Sequence, residues 1–135
     1  MNPTHPRTQG AHHIGLTVPD LGAARRFFAE ALGFDTVGEV PDYPAAFLSD
    51  GEIMITLWQA ENPDQATPFD RRANIGLHHL ALRAGDAAAL ARLHDALAVR
   101  DDASVEFAPE ALGDTGLQHM MVRIPGNIRL ELVAA

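Results

Sequence analysis

The fold is decided by the stretch His12-His13-Ile14-Gly15-Leu16-Thr17-Val18-Pro19-Asp20, which returns further along the chain as His78-His79-Leu80-Ala81-Leu82-Arg83-Ala84-Gly85-Asp86. Each copy is typical of a strand that carries histidine, followed by an acidic helix cap and an amphipathic helix. Because the same order recurs, the chain is predicted to be an internal duplication with histidine at the same place in both halves.

The residues after each copy predict the order β-α-β-β-β. In the first copy, strand His12–Val18 leads to a helix that Asp20 caps and Gly33 ends. Strands are then expected at 35–40, 45–49 and 53–59. The second copy predicts strand Leu77–Leu82, a helix capped by Asp86, and strands near 105–108, 119–124 and 128–133. The expected fold class is α+β: two βαβββ modules forming curved mixed sheets with their helices outside.

These boundaries predict one domain. Residues 1–10 are expected to be a flexible tail, and residues 11–135 a single domain made of repeats 11–59 and 76–134. The polar, proline-containing stretch 60–75 is expected to be the linker between the repeats.

Composition excludes several classes of function. The formal net charge of −8 and the lack of a basic stripe argue against a nucleic-acid partner. With no cysteine, the chain has no disulfide, thiolate metal site or cysteine nucleophile. No apolar run reaches membrane-spanning length and no signal peptide is visible, so we expect a cytoplasmic protein without a membrane partner.

A polar set is predicted on the sheet faces opposite the helices. In the last strand Ile128, Leu130 and Leu132 share the helix-facing side, which leaves Glu131 on the other. His12 and His78 are expected on the helix-facing side. The predicted inner-face set is His13, Thr17, His79, Arg83, Arg129 and Glu131.

Two imidazoles and one carboxylate are a ligand set for a divalent metal with open coordination positions. We therefore predict that His13, His79 and Glu131 bind one divalent ion per site, which is Fe, Mn, Ni, Co or Zn. The alternative is that each histidine only hydrogen-bonds a neighbour. Arg83 and Arg129 are expected either to hold an anionic substrate group or to pair with inner-face carboxylates.

The chain resembles the vicinal oxygen chelate superfamily, which includes glyoxalase I, bleomycin-resistance proteins and extradiol dioxygenases. The resemblance rests on two segments: His13-Ile14-Gly15-Leu16-Thr17-Val18-Pro19-Asp20-Leu21 with Phe27-Phe28 and Leu32-Gly33, and Pro125-Gly126-Asn127-Ile128-Arg129-Leu130-Glu131-Leu132. It implies the fold of that superfamily and places His13, His79 and Glu131 on three of its four metal positions. The fourth position holds Thr56, where glyoxalase I has glutamate.

The resemblance implies three functions. The first is a glyoxalase I-like lyase or isomerase acting on a small oxygen-bearing substrate that chelates the metal, with Glu131 as ligand and base. The second is an extradiol-type dioxygenase with His119 as general acid/base, although Met121 stands where those enzymes carry tyrosine. The third is a non-catalytic drug-binding protein.

The predicted substrate-binding residues are Thr17, Thr56, Trp58, Arg83, Met121 and Arg129. A small molecule is the expected ligand. In this superfamily each site combines two βαβββ units, and the ligands here are divided between the two halves, so a homodimer is also expected.

Overall fold

The computed structural model describes residues 5–135, and two βαβββ units make up its fold. The first unit consists of β1 (His13–Val18), α1 (Leu21–Leu32), β2 (Asp35–Val40), β3 (Ala45–Ser49) and β4 (Met54–Gln59). The second consists of β5 (Leu80–Arg83), α2 (Ala87–Ala98), β6 (Ser104–Ala111), β7 (Gln118–Ile124) and β8 (Ile128–Ala134). The predicted α+β class and the duplication are confirmed. Residues 1–4 of the predicted tail lie outside the described residues.

Each unit forms one four-stranded mixed sheet. The strand orders are β1-β4-β3-β2 and β5-β8-β7-β6, so the repeat has the same topology twice. The first and last strands of each unit pair in parallel, and the other neighbours are antiparallel. The register pairs Gly15 with Thr56 and Ala81 with Glu131. Thr56 and Glu131 therefore occupy equivalent positions in the two units, each opposite a small residue of the first strand.

Both helices begin where the sequence predicts. The Asp20 carboxylate accepts a hydrogen bond from the Ala23 amide at 3.0 Å, and Asp86 accepts one from Ala89 at 2.8 Å. Gly33 ends α1 in the left-handed region, with φ 76°, which a glycine adopts without strain. α2 ends at Ala98, and its C-cap residue Val99 is not left-handed.

The helices cover one face of each sheet and join the two halves in one apolar core. Phe27 and Phe28 of α1, Leu90 of α2, and Leu130 and Leu132 of β8 belong to the same buried cluster. Because strand residues alternate between faces, Glu131 points away from this core. The buried polar residues Thr56, Arg129 and Glu131 therefore lie on the faces that the helices leave uncovered.

The start of the second unit differs from the prediction. β5 begins at Leu80 rather than at Leu77, so His78 and His79 belong to the connection before the strand. Their rings approach one another, with Nδ1 atoms 2.7 Å apart. Neighbouring side chains in a regular strand point to opposite faces, so this contact requires the backbone to depart from strand geometry. The expectation that His78 faces the helices was wrong, because its ring also contacts Arg129.

Within residues 5–135, no helix is both long and apolar enough to cross a membrane.

Candidate functional site

Glu131 lies between two histidines on the uncovered face of the second sheet. Its Oε1 is 3.2 Å from His79 Nε2, and its Oε2 is 2.6 Å from His119 Nδ1. Glu131 is only 9% exposed. β8 lies between β5 and β7, and Met121 pairs with Glu131 while His119 pairs with Val133. His119 is therefore the diagonal neighbour of Glu131, two residues along β7 from its direct partner.

The ring of His79 is held by His78. Arg129 Nη1 lies 3.4 Å from His78 Nδ1, and a guanidinium can only donate, so this nitrogen of His78 is an acceptor. His79 Nδ1–H then donates to His78 Nδ1 across 2.7 Å. The pKa of His78 is lowered by partial loss of solvent, and by the positive charges of the nearby Arg129 and Arg71. This network leaves His79 Nε2 with a lone pair that faces Glu131.

The nitrogen lone pair of His79 and the carboxylate oxygen of Glu131 repel one another, so a cation is needed between the two atoms. Two metal ligands at about 2.1 Å and at right angles to one another stand about 3.0 Å apart. The 3.2 Å between His79 Nε2 and Glu131 Oε1 matches this separation. Imidazole nitrogen and carboxylate oxygen are both ligands of first-row divalent metals. The two donor atoms thus suit a bound divalent metal. A proton shared between them is the simpler alternative.

His119 binds Glu131 through one ring nitrogen, and its other ring nitrogen lies near a second carboxylate. Its Nδ1 is bound to Glu131, whereas its Nε2 is 3.7 Å from the Glu110 carboxylate, which is itself 60% exposed. The ring packs against Phe107, with centroids 4.9 Å apart. A histidine that a buried carboxylate orients, and whose other nitrogen lies beyond hydrogen-bond distance of Glu110, has the arrangement of a general base.

His13 lies apart from this cluster. Its Nδ1 is 2.9 Å from His12 Nδ1, so it repeats the His78–His79 contact in the first half. None of the ion pairs found in residues 5–135 joins His13 to Glu131, and no group of three metal-ligating side chains gathers there. The ligands divide between two sheets, and a single chain places only His79 and Glu131 side by side.

Thr56, at the position equivalent to Glu131, is buried and already hydrogen-bonded. Its Oγ1 accepts the Trp58 indole N–H at 2.9 Å. A Cβ atom at Gly15 would lie 3.1 Å from the same oxygen, so the absence of a side chain at Gly15 gives Thr56 its room. Trp58 packs edge-on against Tyr43, with centroids 4.6 Å apart. This part of the first sheet is an aromatic surface.

The remaining predicted substrate residues have different surroundings. Arg129 is buried and pairs with Glu106 through Nε and Nη2, each at 3.0 Å, so the carboxylate-pairing alternative describes it. Met121 is 5% exposed beside Glu131, whereas Arg83 is exposed. Thr17 borders a cavity of about 480 Å³ between β1, the linker and the β7–β8 turn.

The Glu131 cluster does not border that cavity. Among residues 5–135, the side chains that line the cavity include no titratable group. Since proton transfer and metal binding need such groups, we place the candidate site at Glu131.

Sequence reasoning missed Glu106, two arginines that contact it, and a third arginine beside them. Arg71 and Arg123 contact Glu106 Oε1 at 3.3 and 3.5 Å, and Arg72 lies beside them. Arg123 carries a signal in the sequence, because it alternates with Met121 and His119 onto the uncovered face. Arg71 and Arg72 belong to the predicted linker, whose path no periodic pattern fixes.

Two repeated βαβββ units, each with its polar residues opposite its helix, define a class of duplicated α+β proteins. The sequence profile of the Glyoxalase/Bleomycin resistance protein/Dioxygenase superfamily matches residues 10–132, and the chain belongs to that superfamily.

The individual relatives described below share only a small part of their sequence with this chain. The chain is 27% identical over 150 aligned positions to a 2-epi-5-epi-valiolone epimerase from Actinomyces, covering 95% of this chain and 80% of the epimerase. A glyoxylase/bleomycin resistance protein/dioxygenase domain from Frankia is 25% identical, with a TM-score of 0.80 over 95% of this chain and 93% of that chain. A lactoylglutathione lyase from Agrobacterium tumefaciens is 20% identical, with a TM-score of 0.71 over 96% of each chain. At 20% identity that likeness concerns the fold alone.

Proposed function

We propose that this protein is a metal-dependent isomerase or lyase of the glyoxalase I type, which moves a proton in a small substrate with two adjacent oxygens. The observation that carries the proposal is the division of the Glu131 carboxylate: one oxygen faces His79 and the other is bound to His119. A metal ligand, Glu131, and a base, His119, thus lie close enough to act on one substrate, and they are different residues.

In this proposal, the metal is held by His79 and Glu131 of one subunit and by His13 of a second copy. When bound, the ion supplies a Lewis acid that stabilises negative charge developing on the substrate oxygens. A homodimer is proposed because His13 and Glu131 lie on different sheets. Exposed apolar residues on and after β2 offer a surface for such contact: Val37 and Tyr43 are each 59% exposed and Val40 is 38% exposed.

His119 is the proposed general base. Its Nδ1–H is bound to Glu131 Oε2, which fixes the tautomer with an unprotonated Nε2. This Nε2 accepts the substrate proton, and the resulting imidazolium is stabilised by Glu131 on one side and by Glu110 on the other. Glu131 then has no need to act as base in addition to its role as ligand.

The curated relative supports proton transfer, because it is named as an epimerase. An epimerase inverts a stereocentre, and deprotonation followed by reprotonation of the same carbon is one route to that inversion.

A second candidate is an extradiol-type dioxygenase. It is favoured by Thr56, whose hydroxyl is already bound to Trp58, so the proposed ligand set is two histidines and one glutamate. The metal found in protein purified from cells discriminates the two candidates: iron favours the oxygenase, whereas nickel, cobalt or zinc favours the isomerase.

The experiment that tests metal dependence is elemental analysis of the full chain, as purified and after reloading with each metal in turn. We expect about one equivalent of metal per chain in the wild type and none in His79→Ala. The matched control is His94→Ala on α2, which should bind as the wild type does. A wild-type chain that retains well below one equivalent after reloading, or a folded His79→Ala chain with full binding, would contradict the proposal. The first result would favour a non-catalytic binding protein.

A further inference from the structure

Four arginines border a small pocket on the uncovered face of the second sheet. This arginine pocket, of about 220 Å³, is lined by Phe69, Asp70, Arg71, Arg72, Arg123, Asn127 and Arg129. The chain contains no lysine, so the pocket holds four of its ten basic residues. Such clustering is unexpected in a protein whose formal net charge is −8.

Two of these arginines stand directly opposite one another. Arg123 of β7 and Arg129 of β8 are register partners in an antiparallel pair, so their side chains emerge on the same face. Like charges at directly opposed positions destabilise a sheet. Arg123 and Arg129 therefore need a negatively charged group close to their side chains.

Glu106 of β6 supplies part of that charge. Arg129 donates to its Oε2 at 3.0 Å, and Arg71 and Arg123 approach its Oε1 at 3.3 and 3.5 Å. Burial by itself raises the pKa of Glu106, but hydrogen bonding and charge from these arginines outweigh it and lower the pKa overall. Glu106 is thus a carboxylate at neutral pH.

The charges within the pocket do not balance. Among the residues that line the pocket together with Glu106, the four guanidinium groups face two carboxylates, Glu106 and Asp70, and the Asp70 carboxylate accepts the backbone N–H groups of Arg72 and Ala73 at 2.9 and 3.1 Å. Within this set of residues, an excess of two positive charges remains. Arg123 is 47% exposed in its side chain and Arg72 is exposed, so both can turn toward a ligand. Guanidinium groups present planar pairs of donors that match oxyanions.

We infer that the arginine pocket binds a phosphate group of a small-molecule ligand. A phosphate monoester carries nearly two negative charges at neutral pH, which equals the excess positive charge of the pocket. The buried Arg129 is held in place by Glu106, and it contributes positive charge without rearranging. Arg72 and Arg123 are the side chains that contact the phosphate.

The pocket lies next to the candidate metal site. Arg129 and Glu131 are two positions apart on β8, which is about 7 Å along a strand. Arg129 also contacts His78, which holds His79. On the proposed function, the substrate is therefore a phosphorylated compound whose adjacent oxygens bind the metal while its phosphate occupies the arginine pocket. This link rests on the proposed function, whereas phosphate binding itself is measurable without metal.

The test is calorimetric titration of metal-free protein with inorganic phosphate at constant ionic strength, alongside acetate as a monoanion. We expect saturable phosphate binding by the wild type, at least tenfold weaker binding of acetate, and at least tenfold weaker phosphate binding by Arg123→Gln. Arg92→Gln on the exposed side of α2 removes the same charge elsewhere and should bind phosphate as the wild type does. His79→Ala should also retain phosphate binding, which separates this inference from metal binding.

Three results would overturn the inference: no saturable phosphate binding by the wild type, equal losses in Arg123→Gln and Arg92→Gln, or acetate binding as tight as phosphate. A second variant, Arg72→Gln, provides an independent measurement on a residue outside the sheet, where substitution leaves strand pairing intact.

Discussion

His78 controls which nitrogen of its neighbour faces Glu131. Its Nδ1 accepts from Arg129 and from His79, so His79 Nε2 remains free to bind a metal. Residues that orient a metal ligand in this way typically change metal affinity by 10–100-fold when removed. On the proposed function, His78→Ala should weaken metal binding by about that factor. A competition titration against a chromophoric chelator measures the change.

The control for this prediction is His94→Ala, because His94 contacts only its neighbour Asp95 among the hydrogen bonds found in the described part of the chain. Unfolding by urea should give similar free energies for wild type and His78→Ala, which distinguishes an orienting role from a structural one. Unchanged metal affinity in a folded His78→Ala protein would show that His79 is oriented by something else.

Single residues were predictable where the repeat fixed their position. The position of Glu131 follows from strand alternation at the end of the second copy, and the parallel pairing of β5 with β8 brings the start of β5, next to His79, close to Glu131. The role of Arg71 and Glu106 was not predictable, because Arg71 comes from the linker and Glu106 lies at a register shift in β6. Neither a linker path nor a β-bulge leaves a periodic signal.

At the scale of elements, the two equivalent hairpin turns differ in one contact. Gly51 and Gly126 occupy matching positions, with φ 96° and 90°. A Cβ atom at Gly126 would lie 3.0 Å from Pro19 Cδ, at the end of β1, whereas nothing lies within 4 Å of one at Gly51. Gly51→Ala should therefore destabilise the protein by about 1–2 kcal/mol through backbone strain alone.

Gly126→Ala should destabilise the protein more than Gly51→Ala, by about a further 1–3 kcal/mol, because the two halves of the chain must also separate to admit the methyl group. Urea unfolding of both variants measures the difference. Equal losses would mean that the contact between Pro19 and the β7–β8 turn relaxes at no energetic cost.

The segment after α2 contains an ion pair that should make stability depend on pH. Asp102 accepts two hydrogen bonds from Arg100, at 2.8 and 2.9 Å, and Arg100 also reaches Glu30 of α1 at 3.4 Å. Hydrogen bonding from Arg100 is the largest cause that lowers the pKa of Asp102. A carboxyl group whose pKa is lower in the folded state stabilises the fold above its unfolded pKa, and that stabilisation is lost as pH falls through its folded pKa.

Asp102→Asn should accordingly lower the melting temperature at neutral pH, and its difference from wild type should vanish below the folded pKa of Asp102. Asp101→Asn is the matched control, since Asp101 is exposed and has no ion pair among those found in residues 5–135. Thermal unfolding followed over a pH series provides the measurement. A deficit in Asp102→Asn that persists unchanged in acid would assign its role to packing rather than to charge.

Most elements could be predicted from the sequence, and the start of β5 is an exception with a long-range cause. Asp20, Asp86 and Gly33 mark helix boundaries through side-chain capping and a left-handed backbone, which are properties of single residues. The start of β5 was predicted too early, because the His78–His79 contact interrupts strand geometry and depends on Arg129 of a distant strand.

At the scale of the whole molecule, the duplication explains why one chain holds half of each proposed metal site. The two sheets share one core on their helix-covered faces, so their uncovered faces do not enclose a common site within the chain. His13 belongs to one of those faces and Glu131 to the other. A two-fold dimer that joins the first unit of one copy to the second unit of the other would create two equivalent sites.

Subunit mixing tests this arrangement directly. His13→Ala and Glu131→Gln homodimers should each bind no metal, since every site in them lacks one ligand. In a heterodimer of the two variants, one site carries both substitutions and the other is intact. After complete exchange of an equimolar mixture, about half of the dimers are heterodimers, so the mixture should bind about one quarter of the wild-type amount of metal. Elemental analysis after desalting measures this recovery, and unmixed samples carried through the same exchange step serve as controls. If each site were built within one chain, mixing would restore nothing.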